Sequence, residues 1–448
     1  MRRVSSTVVS SPLRSHGRLA VAVVLATVVA STLLSASPLR AAEALYVVNE
    51  GDCSISVVDP ASRTVTRTLR GAGCQRNVGS YGHATIAVQP GGRSVFVADL
   101  YLLGLFRVRL HPDATATLRT PSYSIGLDPR IVLGSAKGHL FVSAFTGGTR
   151  EVLGVLDEKT NRLVARGPVG TYVAATFDPA TTRVVSLECS FGVVDPQTFQ
   201  SCNANTVDRL VIYDEAMNAV STLPLEVGAG FTSAPALLAV DPMGRVVVAL
   251  RSTLNLVDPE SGAILRSAPY DLAGTAMASN RSGSRVLVWT PTAALDGAGA
   301  SLVAFDGESL DPIVEWPLGY APSVNGGLSS GGIAVDAAGL VYATSQGDGI
   351  PPVVPDFGPT SPVPGVLSVF DSAAAAFLGT VALGTSPTSI AVGAVAPTTA
   401  ECLFSCRDVL NACSSACSTP ACRRSCKKAY RSGLRACQVN GTLCEESS

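Results

Sequence analysis

One unit, apolar–apolar–Asp–turn, recurs along residues 45–395 and constrains the fold more than any other feature of the chain. It reads Val57-Val58-Asp59-Pro60, Val155-Leu156-Asp157-Glu158, Ile212-Tyr213-Asp214-Glu215, Leu256-Val257-Asp258-Pro259, Ala304-Phe305-Asp306-Gly307 and Val369-Phe370-Asp371-Ser372. A degenerate copy, Leu110-His111-Pro112, falls between the first two. A single strand–turn unit buries too little apolar surface to stand alone, so its repetition implies stacked units in a ring or solenoid.

A second half-unit lies between these turns: a short apolar strand, a reversal, then another strand. The clearest copy is Ile86-Ala87-Val88, the turn Gln89-Pro90-Gly91-Gly92, and Ser94-Val95-Phe96-Val97-Ala98. Further reversals centre on residues 135–138, 178–180, 241–244, 280–283 and 336–339, each with the Gly, Pro, Asn or Asp that a tight turn requires. Together the half-units give four antiparallel strands, the content of a propeller blade. Six units contain both halves. The first, opening at Ala44-Leu45-Tyr46-Val47-Val48, lacks an initial strand, and Thr388-Ser389-Ile390-Ala391-Val392 stands alone at the end. Joined, they complete a seventh blade and remove the exposed sheet edges of an open ring. The expected fold is all-β: a seven-bladed β-propeller closed by a C-terminal strand, with a small disulfide-stapled α-helical hairpin beyond it.

Leu45-Tyr46-Val47-Val48-Asn49, followed by Ser54 to Asp59 and Val65 to Leu69, resembles the YVTN-type repeat of secreted and surface-layer β-propellers. Leu383-Gly384-Thr385-Ser386-Pro387-Thr388-Ser389-Ile390-Ala391-Val392 is similar to that repeat's inter-blade segment. The resemblance implies the propeller fold and no single activity, because a shared fold hosts many functions.

The recurrent aspartates sit at strand ends before turn-forming residues. Their carboxylates are expected to accept backbone N–H groups of their own turns, and, lying on separate blades, they do not converge. Insertions fall elsewhere, after the second strand of each blade, near 143–151, 188–206, 290–300 and 346–365. Those loops share a rim with the inter-blade connectors, and a rigid scaffold carrying long loops is a usual setting for binding residues. The polar residues expected on that rim are Asn49, Glu50, Asp52, His83, Asp99 and Glu188. No cofactor is expected from the motifs. A calcium-like divalent ion at the channel mouth, as in propeller lactonases, is the one cofactor alternative. A Ser–His–Asp arrangement has too few histidines to draw on, since only His83, His111 and His139 follow the first 44 residues.

Residues 1–44 have the form of an export signal. Arg2, Arg3, Arg14 and Arg18 precede an apolar stretch from Leu19 to Leu34, and Ala42-Glu43-Ala44 supplies small residues at a cleavage position. The twelve cysteines, all beyond this segment, suit an oxidising compartment. The expected organisation is a signal over 1–44, a propeller over 45–396, a linker at 397–400 and a Cys-rich hairpin over 401–448. The mature chain is expected to have no membrane span, to be periplasmic, extracellular or on the cell surface, and to be a monomer. Between 45 and 399 the chain carries 21 basic and 29 acidic side chains, which argues against nucleic-acid binding by the propeller.

Two cysteine pairs belong to the insertion rim: Cys53 with Cys74, and Cys189 with Cys202, the latter closing a loop worth roughly 3 kcal/mol in the chain-entropy model. The tail holds the other eight. Thr419-Pro420 reads as a helix start and Asn440-Gly441 as a stop, giving antiparallel helices over about 400–418 and 420–439. Facing residues of such a hairpin share an index sum. Cys417 with Cys422, Cys413 with Cys426, and Cys402 with Cys437 all sum to 839, leaving Cys406 for Cys444. The alternative joins Cys406 to Cys437 and Cys402 to Cys444. Arg423, Arg424, Lys427, Lys428, Arg431 and Arg435 form a basic stripe on the second helix, read as a solvated face, or as a surface for an acidic envelope polymer or for the acidic propeller.

The sequence therefore supports an exported, non-catalytic binding protein that takes an unknown protein, glycan or small ligand on its loop-rich rim. Two alternatives stay open. One is a metal-dependent hydrolase or lactonase of propeller type, with Glu50, Asp99 or Glu188 as ligands; the other is a structural surface-layer component.

Overall fold

A computed structural model describes residues 43–70, 84–90, 92–99, 104–110, 116–119, 127–146, 150–160, 162–169, 172–189, 207–225, 236–250, 252–270, 276–290, 300–319, 332–346, 364–385, 387–394, 410–411, 417 and 419–440. The chain forms a seven-bladed β-propeller of four-stranded antiparallel sheets.

Blade 1 contains β1 (Glu43–Asn49), β2 (Ser54–Asp59) and β3 (Thr64–Arg70); blade 2 contains β4 (Ala84–Val88), β5 (Ser94–Asp99), β6 (Gly104–Leu110) and β7 (Ala116–Arg119). Blade 3 follows with β8 (Leu127–Ala136), β9 (His139–Thr146), β10 (Arg150–Asp157) and β11 (Leu163–Val169). Blade 4 is β12 (Tyr172–Asp178), β13 (Arg183–Glu188), β14 (Arg209–Tyr213) and β15 (Ala219–Pro224). Blade 5 is β16 (Leu237–Val240), β17 (Val246–Leu250), β18 (Thr253–Val257) and β19 (Ile264–Pro269). Blade 6 is β20 (Ala276–Ser279), β21 (Arg285–Thr290), β22 (Ala300–Asp306) and β23 (Pro312–Gly319). Blade 7 is β24 (Ile333–Val335), β25 (Leu340–Gln346), β26 (Pro364–Asp371) and β27 (Ala376–Thr385). The last strand, β28 (Pro387–Ala394), returns to blade 1 and pairs with β1, from Glu43 opposite Ala394 to Asn49 opposite Pro387.

The core lies between the blades. Along β1, Ala44, Tyr46 and Val48 pack against Val95, Val97 and Phe106 of blade 2, while Leu45 and Val47 pack against Tyr342, Leu367 and Val369 of blade 7. Both faces of the middle strands are thus buried, which is why they read as continuous apolar runs rather than as alternation. The outer strands alternate instead: β3 is exposed at every second position. Similar apolar seams join the remaining neighbours, and Trp289 of blade 6, fully buried, donates its indole N–H to the Thr344 carbonyl of blade 7 at 3.0 Å.

The described fold starts two residues ahead of the boundary expected at 45. Ala44 is buried, and Glu43 accepts from Arg281 Nη2 at 3.2 Å and from the Ala337 amide at 2.8 Å. Both residues belong to β1, so the propeller opens at Glu43. Residues 1–42 lie outside the described set, and with them the expected signal.

In the tail, α1 (Pro420–Asn440) starts where the sequence places it. Thr419 caps it: its hydroxyl accepts the Cys422 amide at 3.3 Å, and its carbonyl accepts the Arg423 amide at 3.2 Å. Of the first expected helix, residues 410, 411 and 417 are described: 410 and 411 are helical, and Cys417 is not. Among the described residues, no helix is long and apolar enough to cross a membrane.

Candidate functional site

The propeller presents two rims with different chemistry. On one, the turns are short and close on themselves. Asp59 accepts the Ala61 amide at 3.0 Å and the Ser62 hydroxyl at 2.7 Å; Asp157 accepts the Thr160 amide and hydroxyl, both at 2.6 Å. Asp214 accepts the Ala216 and Asn218 amides, Asp258 that of Glu260, Asp306 those of Glu308 and Ser309, and Asp371 those of Ala373 and Ala374. All six repeated aspartates are therefore turn ligands. Hydrogen bonds to the ionised form hold five of the carboxyls below the usual range: chiefly the Ser62 hydroxyl for Asp59, the Thr160 hydroxyl for Asp157, the Asn218 amide for Asp214, the Ser261 hydroxyl for Asp258 and the Ser309 amide for Asp306.

The same rim stitches neighbouring blades. Lys137 of blade 3 pairs with Glu215 of blade 4, Arg245 of blade 5 with Glu308 of blade 6 at 2.9 Å, and Asn280 of blade 6 donates to Ser372 of blade 7 at 3.2 Å. Between blades 2 and 3, Arg107 donates to the Glu158 carbonyl at 2.6 Å, and within blade 3 Ser135 donates to the Glu158 carboxylate. Burial raises the Glu158 carboxyl above its ordinary range, against the pull of Ser135 and Arg107.

On the opposite rim, three blades have far longer connections: residues 189–208 link β13 to β14, 291–299 link β21 to β22, and 347–363 link β25 to β26; the matching links of the other four blades are short, and the insertion expected near 143–151 is the three-residue link 147–149, because β9 and β10 run into it. The expected site residues on this rim fall into separate places. Asn49, Glu50 and Asp52 come together at the seam of blades 1 and 7, the first two buried and Asp52 exposed. Asn49 is fully buried and donates to Ser54 and Ser56 at 3.0 and 2.9 Å. Asp52 accepts the Ser54 hydroxyl at 2.5 Å and the Thr385 amide at 3.3 Å, and Glu50, also buried, accepts the Thr388 hydroxyl at 2.9 Å. A side chain on Gly384 would place its Cβ 2.5 Å from Asp52 Oδ2 and 2.8 Å from Asn49 Cγ, so only glycine lets this connector lie against them.

Glu188 lies at a different seam, on blade 4 facing blade 3, and is 5% exposed. Its carboxylate accepts from Tyr213 Oη at 2.6 Å, Ser186 Oγ at 2.7 Å and Arg209 Nη2 at 3.1 Å. Burial, and then the bond to Glu188, push the Tyr213 phenol well above its ordinary value. Asp99 ends β5, with only its backbone described, and His83 lies outside the described residues. Of the residues expected on the binding rim, Asn49, Glu50 and Glu188 are buried, and the side chains that bond them, Ser54 and Ser56, Thr388, and Ser186, Tyr213 and Arg209, lie on their own blades. Burial of both strand faces was the available signal, and it pointed to a seam position for any polar residue within a strand.

Among the described residues, the one set of three potential ligand atoms within 4.8 Å of each other is Cys417, Cys422 and Cys426. Cys417 and Cys422 are joined to each other (S–S 2.04 Å), and Cys426 Sγ, also disulfide-bonded, lies 3.4 Å from Cys417 Sγ. On the insertion rim, Cys53 and Cys189 are disulfide-bonded to cysteines outside the described set. Cys74, Cys202, Cys402, Cys406, Cys413 and Cys444 lie outside the described residues, as does the side chain of Cys437, so the remaining expected pairings lie there too.

No protein-family model matches this chain, and no curated protein matches it. Solved structures do. A functionally unknown protein from Desulfotomaculum acetoxidans DSM 771 aligns at a TM-score of 0.51 and 12% identity, over 79% of this chain and 99% of its own. Apo AztD from Citrobacter koseri aligns at 0.49 and 14% identity, over 79% and 98%. The dihydro-heme d1 dehydrogenase NirN, in complex with DHE, aligns at 0.46 and 15% identity, over 78% and 74%. The first likeness bears on the fold alone, and the other two are weaker.

Proposed function

We propose that this chain is an exported binding protein that takes a protein, glycan or small ligand on its insertion rim, without catalysis. The observation that carries this reading is the asymmetry between the rims. One rim consists of short turns whose carboxylates are occupied by their own backbone. The other joins its strands through segments such as 189–208 and 347–363, far longer than chain reversal requires. Cys53 and Cys189, both disulfide-bonded, border connections of that rim, and a staple there favours loops of fixed shape. The resemblance of residues 45–69 to YVTN-type repeats supports an extracytoplasmic setting.

The test is a ligand screen against three forms of the protein. They are the chain from Glu43, the same chain ended after Pro397, and a variant in which 347–363 is replaced by a four-residue Gly-Asn turn. A ligand on the insertion rim is expected to bind the first two alike and to lose at least tenfold in affinity for the third. Binding that survives replacement of both 347–363 and 190–206 would sink the proposal. So would turnover of an ester or lactone substrate that depends on added metal.

A further inference from the structure

The basic helix of the tail has no part in the rim reading, and its charges are arranged against its own stability. Arg423, Arg424, Lys427, Lys428 and Arg431 are all exposed on α1, and no Asp or Glu occurs between Pro420 and Asn440. At 3.6 residues per turn the five cations cover an arc of roughly 140°, on the side away from Cys422 and Cys426. Arg423 with Lys427, Lys427 with Arg431, and Arg424 with Lys428 are like charges one turn apart, and each pair weakens the helix. Arg423 and Arg424 also lie near the helix N-terminus, where the backbone dipole already presents positive charge. Among the described residues, none of the five has an ion-pair partner; the ion pairs there belong to the propeller.

A helix that sets local preference aside in this way marks a functional surface more readily than a solubilising one, for which mixed charge serves better. The occupant must supply a row of anions. A bilayer fits poorly, because a membrane-surface helix needs large apolar residues opposite its basic face. Here the positions on that side are Cys422, Cys426 and Ala429, and Cys426 is buried. Single-stranded nucleic acid is held by aromatic platforms beside the cations, and Tyr430 is the helix's one aromatic residue. A linear polyanion held by charge alone needs neither, and cations about 6 Å apart along the axis offer it a continuous track. We infer that the exposed face of α1 is a binding surface for a linear acidic polysaccharide.

The experiment measures binding of the chain from Glu43 to polygalacturonate at 50 and 200 mM NaCl. Neutral dextran, phosphatidylglycerol vesicles and a 20-nucleotide single strand of DNA serve as competing probes. By the counterion-release slope of single-stranded polyanions, five contacts predict affinity about a hundredfold weaker at the higher salt. The combined variant Arg423→Gln, Arg424→Gln, Lys427→Gln, Lys428→Gln and Arg431→Gln is expected to lose at least tenfold. Arg423→Lys with Arg424→Lys and Arg431→Lys is expected to bind as the parent does. Helicity and recovery of the Cys417–Cys422 peptide without reduction check that the glutamine variant folds; if it does not, the salt series and the lysine variant still decide. The inference is overturned by no polygalacturonate binding at 50 mM NaCl, by undiminished binding in a folded glutamine variant, by equal binding to dextran, or by tighter binding to DNA or vesicles.

Discussion

The two rims of this propeller use carboxylates in opposite ways. On the turn rim, Asp59, Asp157, Asp214, Asp258, Asp306 and Asp371 are solvent-side groups that accept backbone amides within five residues of themselves. Near the insertion rim, Glu50 and Glu188 are buried at blade seams and accept from side chains distant in sequence or on another strand. A local turn ligand is dictated by its own sequence neighbourhood. A seam carboxylate depends on what the next strand or blade brings to it. Acidic residues near a propeller's loop-rich rim are therefore not by that fact a site: the strand ends there are still core.

The comparison breaks most visibly at the closure. Deleting residues 387–394 strips β28 from β1 and exposes Leu45 and Val47. We expect loss of the cooperative thermal transition, whereas ending the chain after Pro397 leaves the propeller's Tm unchanged in a circular dichroism melt. A chain without β28 that melts like the parent would mean that blade 1 stands on three strands.

Next in size is the seam. Glu188→Ala leaves Tyr213 and Arg209 facing a gap inside the blade 3–blade 4 interface. Loss of one partner of a buried, hydrogen-bonded charge is expected to cost about 3 kcal/mol, read from chemical denaturation. Arg209 is one-third exposed and retains some hydration, which keeps the figure at the low end. A change under about 0.5 kcal/mol would return Glu188 to the free groups of the rim.

On the turn rim the unit effect is smaller. Asp371→Ala removes acceptors from the Ala373 and Ala374 amides, which solvent then partly replaces, so about 1 kcal/mol is expected. Four other turn carboxyls, those of Asp59, Asp157, Asp214 and Asp306, also set an acid limit. Their folded pKa values lie below the unfolded Asp value of about 3.9, so the unfolded chain takes up protons first as pH falls. Their contribution is complete above that value and is lost as pH drops through the folded values. Glu158 runs the other way. Its raised carboxyl penalises the ionised fold as pH climbs above the unfolded Glu value of about 4.3. A melt series should therefore show Glu158→Gln gaining on the parent toward neutral pH and losing that advantage below about pH 4. A constant offset across the series would mean that Glu158 does not titrate with folding.

A comparably small stability effect is expected at the insertion rim itself. Replacing 347–363 by a short turn changes loop-closure entropy by under about 1.5 kcal/mol and leaves the blade pairing intact, while abolishing rim binding. A large destabilisation would instead make that segment part of the scaffold.

What the sequence determined by itself was everything that repeats or is local. Asp before a turn-former specifies a turn that accepts its own amides, and the count of half-units specifies seven blades. A leading unit short of one strand specifies closure by residues near 388–392, and Thr419-Pro420 specifies a helix start. These follow from short-range sterics and hydrogen bonding, and so are legible along the chain. The start of β1 was less so, because Ala42-Glu43-Ala44 serves equally as a processing site and as a strand end. Only the tertiary structure decided the fate of Asn49, Glu50 and Glu188. In a ring whose middle strands are buried on both faces, the period-2 pattern no longer separates inside from outside. A polar residue there is free or spent according to whether a neighbouring strand or blade, here through Thr388, Tyr213 and Arg209, places a donor within about 3 Å of it.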